Sequence, residues 1–346
     1  MDILPNPHRG TGLTGLETIP LPEHDAEPAL RLLARCPVAA PTPLHGAPDL
    51  AQAARLAALW VKDERGRMGL GSFKALGAAH VIARDAEAGR AAGRTYVAAS
   101  AGNHGLSVAA GAAAFGAKAR IYLSDTVPES FAARLRDLGA KVVRAGAIYE
   151  DSMAAAAEAA EREGLDLLSD SSWPGYVDVP RVLMEGYLVL IAEAVAQIEM
   201  PPTHIFVQAG VGGIAAAVAA HARAVWGAAP CIVVVEPEAA PALTASIAAG
   251  APVVTEGPVS SMGRLDCKEP SLIALRGLAR DADWFVTITE AEAAEGTALV
   301  AAAGLPSTPS GAAGLAALLL LPDPMREALA VGPASRVLTF LTEAEA

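Results

Sequence analysis

From Thr95 onward, short apolar runs alternate with helix-length, alanine-rich segments, and this alternation restricts the fold more than any other feature of the chain. Strands are expected at Thr95–Ala99, Ala119–Leu123, Lys141–Ala145 and Asp166–Ser169. Helices are expected between them at Leu106–Phe115, Glu129–Leu138 and Tyr149–Arg162. After a turn-rich segment, Asp170–Pro180, the pattern resumes. Helix Arg181–Ile198, strand His204–Gln208, helix Ile214–Trp226, strand Cys231–Val235 and helix Ala240–Ala248 come first. Strand Trp284–Thr287, helices Glu290–Ala302 and Gly311–Leu321, and strand Arg336–Phe340 complete it. Such alternation predicts parallel sheets with helical crossovers. The expected fold class is therefore α/β, as two doubly wound α/β domains with a boundary near Asp170–Pro180. Upstream, a helix over Asp49–Ala58, a strand over Leu59–Lys62 and a helix over Ser72–Ala88 with a stop at Gly89 are expected. The proline-rich residues 1–50 read as an irregular arm.

Composition narrows the partners. The 346 residues are 53% hydrophobic and 18% charged, enough apolar content for real cores. No apolar run approaches the roughly 20 residues of a membrane span; Pro322 stops the greasiest stretch, Leu315–Leu321. A net charge of −12 disfavours nucleic acid and anionic membranes. Met1–Gly10 shows no basic-then-apolar signal pattern, so a cytoplasmic location is expected. Cys36, Cys231 and Cys267 show neither metal nor disulfide spacing, so no metal is expected.

Ligands of doubly wound sheets sit beyond the carboxyl ends of the strands, where loops enter helices. Four features lie there. Lys74 follows a glycine-rich run and opens a helix in Gly71-Ser72-Phe73-Lys74. The helix dipole disfavours a structural cation at that end. A partly desolvated amine there is expected to have a lowered pKa and to form a Schiff base. An exposed lysine beside a flexible loop is the other reading. Ser100-Ala101-Gly102-Asn103-His104-Gly105 joins a strand to a helix, and Asn103 could donate to a phenolate or carboxylate, or simply cap the helix. Gly210-Val211-Gly212-Gly213 would make an anion nest suited to a phosphate. The same run through Ala215 also scans as a dinucleotide fingerprint, with Glu236 ending the next strand. Asp170 and the polar segment Ser261–Pro270 could face the cleft, or be solvated loops.

Taken together, the Gly71–Lys74 segment, Gly102-Asn103-His104-Gly105 and the later glycine loop resemble the fold-type II (tryptophan synthase β-like) enzymes that depend on pyridoxal 5′-phosphate (PLP). Further stretches resemble diaminopropionate ammonia-lyase. They are Pro41-Thr42-Pro43-Leu44, Val61-Lys62-Asp63-Glu64, Asp170–Tyr176, Gln208-Ala209-Gly210-Val211-Gly212, Val235-Glu236-Pro237-Glu238 and Leu265–Pro270. The resemblance runs from about Leu33 to Glu343.

The resemblance implies that Lys74 carries PLP and moves the substrate's α-proton. It implies that Asn103 holds the phenolic oxygen, that Gly210, Val211, Gly212 and Gly213 bind the phosphate, and that Thr342 faces the pyridine nitrogen. The Ser100, Ala101, Gly102 and His104 turn and Asp170 would meet a small amino-acid substrate. A homodimer is implied, with residues 1–90 and 178–346 forming a large PLP-binding domain and 91–177 a small mobile one. The expected reaction is β-elimination, in the first instance of 2,3-diaminopropionate to pyruvate and ammonia. A threonine, serine or 3-hydroxyaspartate dehydratase is the near alternative. A nicotinamide-dependent oxidoreductase and a non-catalytic PLP-binding protein are more distant ones. The lyase family commonly has an aspartate before Gly-Asn-His-Gly, as a base for the D-isomer. Here Ala101 occupies that position, so L-selective chemistry is expected.

Overall fold

Val233, Val234 and Val235 are buried on both faces of one strand, which only a sheet covered by helices on each side allows. The computed structural model describes residues 1–345. It begins with β1 (Asp2–Pro5), α1 (Glu27–Leu33), β2 (Leu44–Gly46), α2 (Pro48–Ala53) and β3 (Ala58–Asp63). A 3-10 turn over Glu64–Gly69 leads into α3 (Lys74–Glu87). The middle of the chain runs β4 (Thr95–Ala99), α4 (Asn103–Ala114), β5 (Lys118–Leu123), α5 (Glu129–Asp137), β6 (Lys141–Arg144), α6 (Tyr149–Glu163) and β7 (Asp166–Leu167). It continues through α7 (Asp178–Gln197), β8 (His204–Gln208), α8 (Gly213–Trp226), β9 (Cys231–Pro237), α9 (Ala242–Ala249), α10 (Leu272–Asp281) and β10 (Trp284–Ile288). The last elements are α11 (Glu290–Ala302), α12 (Pro309–Leu319), α13 (Asp323–Ala328) and β11 (Arg336–Leu341).

Two sheets result. The larger has the order β1-β10-β9-β8-β11-β3-β2, and the smaller β6-β5-β4-β7. Every pairing in the smaller sheet is parallel. In the larger, only the edge strands β1 and β2 run antiparallel. The irregular arm expected over residues 1–50 is thus corrected: it supplies two edge strands and helix α1, ahead of α2, which answers to the helix expected over Asp49–Ala58. Its prolines did not prevent this, because an edge strand need not donate on its outer side. Helices α10 and α13 were also missed. Two helices start as their sequences dictate. Thr289 and Glu292 cap α11 reciprocally, and Thr308 Oγ1 accepts from Gly311 N at α12.

The order of the larger sheet positions the site. The last strand, β11, inserts between β8 and β3. Its exit, Thr342–Ala344, therefore lies between the turn after β8 and the segment that leads to Lys74. Ser72 and Glu343 form an antiparallel bridge there, and Ala344 N donates to Gly71 O at 2.9 Å. Among the described residues no helix is long and apolar enough to cross a membrane.

Candidate active site

Lys74 is the first residue of α3, and a buried charge cluster fixes the chain just before it. Lys62, Glu64 and Arg67 are fully buried and Glu193 of α7 nearly so. Lys62 Nζ donates to Glu193 Oε2 (2.7 Å), Thr42 O (2.8 Å) and Gln197 Oε1 (3.0 Å). The Arg67 guanidinium donates to both oxygens of Glu64 and both of Glu193, at 2.7–2.8 Å. Thr42 Oγ1 closes the network by donating to Glu64 Oε1 at 2.6 Å. Two of the stretches that carried the resemblance, Pro41–Leu44 and Val61–Glu64, are therefore conformational anchors for the 3-10 turn.

The Lys74 ammonium pairs with the Asp170 carboxylate, which follows β7 of the smaller sheet. The Tyr187 and Phe73 rings flank the same Nζ, at 5.7 and 5.2 Å to their centroids. This pairing overturns the lowered lysine pKa expected at a helix start. Burial does pull the amine down, but Asp170, with Tyr187 and Cys267 alongside, outweighs it, and the pKa is raised. Asp170 shifts the opposite way. Burial would raise its carboxyl, but Lys74 and His104 hold it well below the usual carboxylate range.

The turn before α4 places Asn103 at the first helical position, where its Nδ2 donates to Glu343 Oε2. Ser100 is committed to the turn itself: its Oγ accepts from Gly102 N (3.2 Å) and Gly105 N (3.0 Å). Gly102 lies against Arg264, where an added Cβ would sit 3.1 Å from Nε. Ala101 is half-buried against the core. His104 is buried, with Nε2 donating to Leu168 O at 2.8 Å. Burial lowers its pKa, so the ring is neutral and Nδ1 is a bare acceptor without a protein partner.

The glycine turn links β8 to α8 and presents the first N–H groups of a 14-residue helix, which have no intrahelical acceptors. Gly212 has φ +99°, a conformation open to glycine and costly for other residues. Val211 O accepts from Ser271 N at 3.0 Å, which fixes the turn against the start of α10. The nest is adjacent to the lysine. The Tyr187 ring that flanks Nζ also lies 3.5 Å from where a Gly213 Cβ would be. Cys267, whose charge environment includes Lys74 and Asp170, has its Sγ 3.0 Å from where a Gly210 Cβ would be. Burial pushes its thiol up to about 12, so it is a neutral wall rather than a nucleophile. Thr342 Oγ1 is buried and accepts from Gln208 Nε2 at 3.1 Å, so its own proton is free for another acceptor.

The tertiary structure thus gathers Lys74, Asp170, Asn103, His104, the Gly210–Gly213 turn and Thr342 at the carboxyl ends of both sheets. Glu343, Tyr187 and Cys267 join them without having been singled out. Glu343 and Cys267 lay inside segments already noted, whereas Tyr187 looked like any apolar helix residue. The arrangement fits PLP in its donor chemistry: a primary amine for an aldehyde, an N–H nest for a phosphate, an amide for a phenolate. It also leaves a buried polar atom, His104 Nδ1, without a protein partner. The dinucleotide reading of Gly210–Ala215 fails on topology. That fingerprint belongs to the first strand–helix unit of its fold, and here it follows β8. Among the described residues no cluster of His, Cys, Asp or Glu is arranged to hold a metal ion.

Comparison with known proteins agrees. The profile of the pyridoxal-phosphate dependent enzyme family matches residues 36–343. Diaminopropionate ammonia-lyase of Salmonella typhimurium is 32% identical over 296 residues, covering 78% of this chain and 73% of that protein. A crystal structure of the Escherichia coli diaminopropionate ammonia lyase, in complex with a PLP reaction intermediate, superposes with a TM-score of 0.89 at 28% identity. It covers 99% of this chain and 94% of its own. Threonine deaminase isoform 2 of Solanum lycopersicum shares the fold, with a TM-score of 0.80 at 20% identity over 100% of this chain and 95% of its own. The chain belongs to the pyridoxal-phosphate dependent enzymes and has their fold-type II architecture.

Proposed function

We propose that this chain is an ammonia-lyase that takes 2,3-diaminopropionate and water to pyruvate and two molecules of ammonia. The observation that carries the reading is the Lys74–Asp170 pair beside the glycine nest. Similarity to the diaminopropionate ammonia-lyases supports the same substrate.

Each residue then has a task. Lys74 supplies the amine that holds the cofactor and, once released, takes the α-proton at Nζ. Bound PLP supplies an electron sink for the charge left at Cα. The N–H groups of Gly210, Val211, Gly212 and Gly213 hold its phosphate, and Asn103 donates to its phenolic oxygen. Thr342 offers its free hydroxyl proton to the ring nitrogen. A neutral hydroxyl leaves that nitrogen uncharged, and the weaker sink suits elimination better than transamination. Asp170 already pairs with an ammonium, and a substrate's β-ammonium presents the same charge. The Ser100–His104 turn lines the substrate's other side, and Ala101 leaves no base for the D-isomer.

The unit 91–177 closes over the substrate in this reading and excludes water. Residues 1–90 and 178–346 form the large domain that holds PLP. The protein acts in the cytoplasm as a homodimer. Its three free cysteines suit a reducing compartment. Val254 and Val259, 67% and 88% exposed, suit coverage by a second copy.

Ammonia counted per keto acid tests the substrate. Two per pyruvate from the diamino acid, with little turnover of threonine, serine or 3-hydroxyaspartate, is the expected result. One per keto acid, from a hydroxy amino acid alone, would make it a dehydratase. Lys74→Ala is expected to abolish both turnover and the visible absorption of the PLP-loaded protein. PLP binding without turnover of any β-substituted amino acid would favour a purely binding role.

A further inference from the structure

Glu343 is a buried carboxylate at the centre of the site, and its surroundings hold it still. Its side chain is 7% exposed. Its backbone bridges Ser72, and its carbonyl accepts from Ser307 Oγ at 2.6 Å. Oε1 accepts from Thr308 Oγ1, the residue that caps α12. Oε2 accepts from Asn103 Nδ2, and Arg264 Nε lies 3.8 Å from the same oxygen. One oxygen is thus tied to the larger sheet's helices and the other to the start of α4.

We propose that Glu343 is a positioning residue that sets the orientation of the Asn103 amide toward the cofactor's phenolic oxygen. A carboxylate can only accept, so it forces the NH2 end of Asn103, not its oxygen, to face it. One N–H is then spent on Glu343 in a charge-assisted bond. The second N–H of the same nitrogen is left as the donor, in a direction fixed by the first. With Glu343 removed, the amide is free to turn its oxygen toward the phenolate, where it would repel.

The proposal rests on the reading of Asn103 given above. Its test is a titration of the cofactor-free protein with PLP, followed by fluorescence and visible absorbance. Glu343→Ala is expected to weaken PLP binding about tenfold, the loss of one hydrogen bond to a charged group. Asn103→Ala should weaken it by a similar factor. The double variant should be no weaker than Asn103→Ala alone, because Glu343 acts through that amide. Glu343→Gln, which can still present an oxygen to Asn103, should bind within about threefold of wild type, less than the loss of a bond to a charged group. If Glu343→Ala does not fold, Glu343→Asp, whose carboxylate is drawn back, replaces it with the same expected loss. Undiminished binding by these variants, or losses that add in the double variant, would overturn the assignment. Failure of the wild type to bind PLP would instead overturn the functional reading itself.

Discussion

Asp170 lies 96 residues beyond Lys74 in sequence, yet its carboxylate is the ion-pair partner of the Lys74 ammonium. Removing that charge leaves burial opposed only by the Tyr187 and Cys267 contributions. Asp170→Asn is therefore expected to move the Lys74 pKa downward. Labelling by an amine-reactive probe, followed against pH, should begin at lower pH than in the wild type. Turnover should fall on the order of a hundredfold, the scale of a lost charged partner in proton transfer. An unchanged labelling profile would show that Asp170 does not govern the lysine.

The cluster around Arg67 offers a test of stability. Glu193→Ala leaves Lys62 and Arg67 buried with too few acceptors. A cost of about 3–5 kcal/mol is expected from breaking a buried pair by removing one partner. Urea unfolding measures it. Burial alone would raise the Glu193 carboxyl, but Arg67 and Lys62 outweigh it and lower the pKa. The contribution of this cluster is thus present above the ordinary carboxylate range and lost as pH falls through the lowered value. In Glu193→Gln that acid-side loss should shrink.

Glu236 titrates in the reverse sense. It is fully buried, and burial pushes its carboxyl up to about 7, only partly offset by Thr244 and the Leu243 and Thr244 N–H groups. A raised acid contributes most below its unfolded pKa of about 4.3 and loses that contribution as pH climbs through the folded value. Wild-type stability in urea should therefore decline from weakly acidic to neutral pH. Glu236→Gln should flatten that decline; an unaltered slope would place its origin elsewhere.

Gly186 of α7 faces α3, and a Cβ there would lie 2.4 Å from Leu76 O and 2.8 Å from His80 Cβ. The contacted atom is backbone and cannot yield. Gly186→Ala should therefore push the helices apart at a cost of about 1–3 kcal/mol, the usual range for overpacking. Because Tyr187 follows it and flanks Lys74, PLP affinity should drop along with Tm. A variant with normal Tm and normal PLP affinity would contradict this packing argument.

Much of the scaffold was legible because its signals are local. The alternation after Thr95 reflects strands buried on both faces and helices crossing over them, and each element carries its own pattern. The glycine turn after Gln208 was legible for the same reason, since its chain needs the positive φ seen at Gly212. The edge strands Asp2–Pro5 and Leu44–Gly46 were not, because three or four residues at a sheet margin carry no periodicity.

By itself, then, the sequence determined two α/β sheets, the lysine and asparagine at their carboxyl ends, and the nest for an anion. Only the tertiary structure decided the electrostatics. The insertion of β11 between β8 and β3 brought Thr342 and Glu343 to the site. The smaller sheet brought Asp170 to Lys74 and reversed the expected shift of its pKa. Hydrophobic periodicity is written along the chain, whereas charge pairing depends on through-space distance, which follows only once the strands have taken their order.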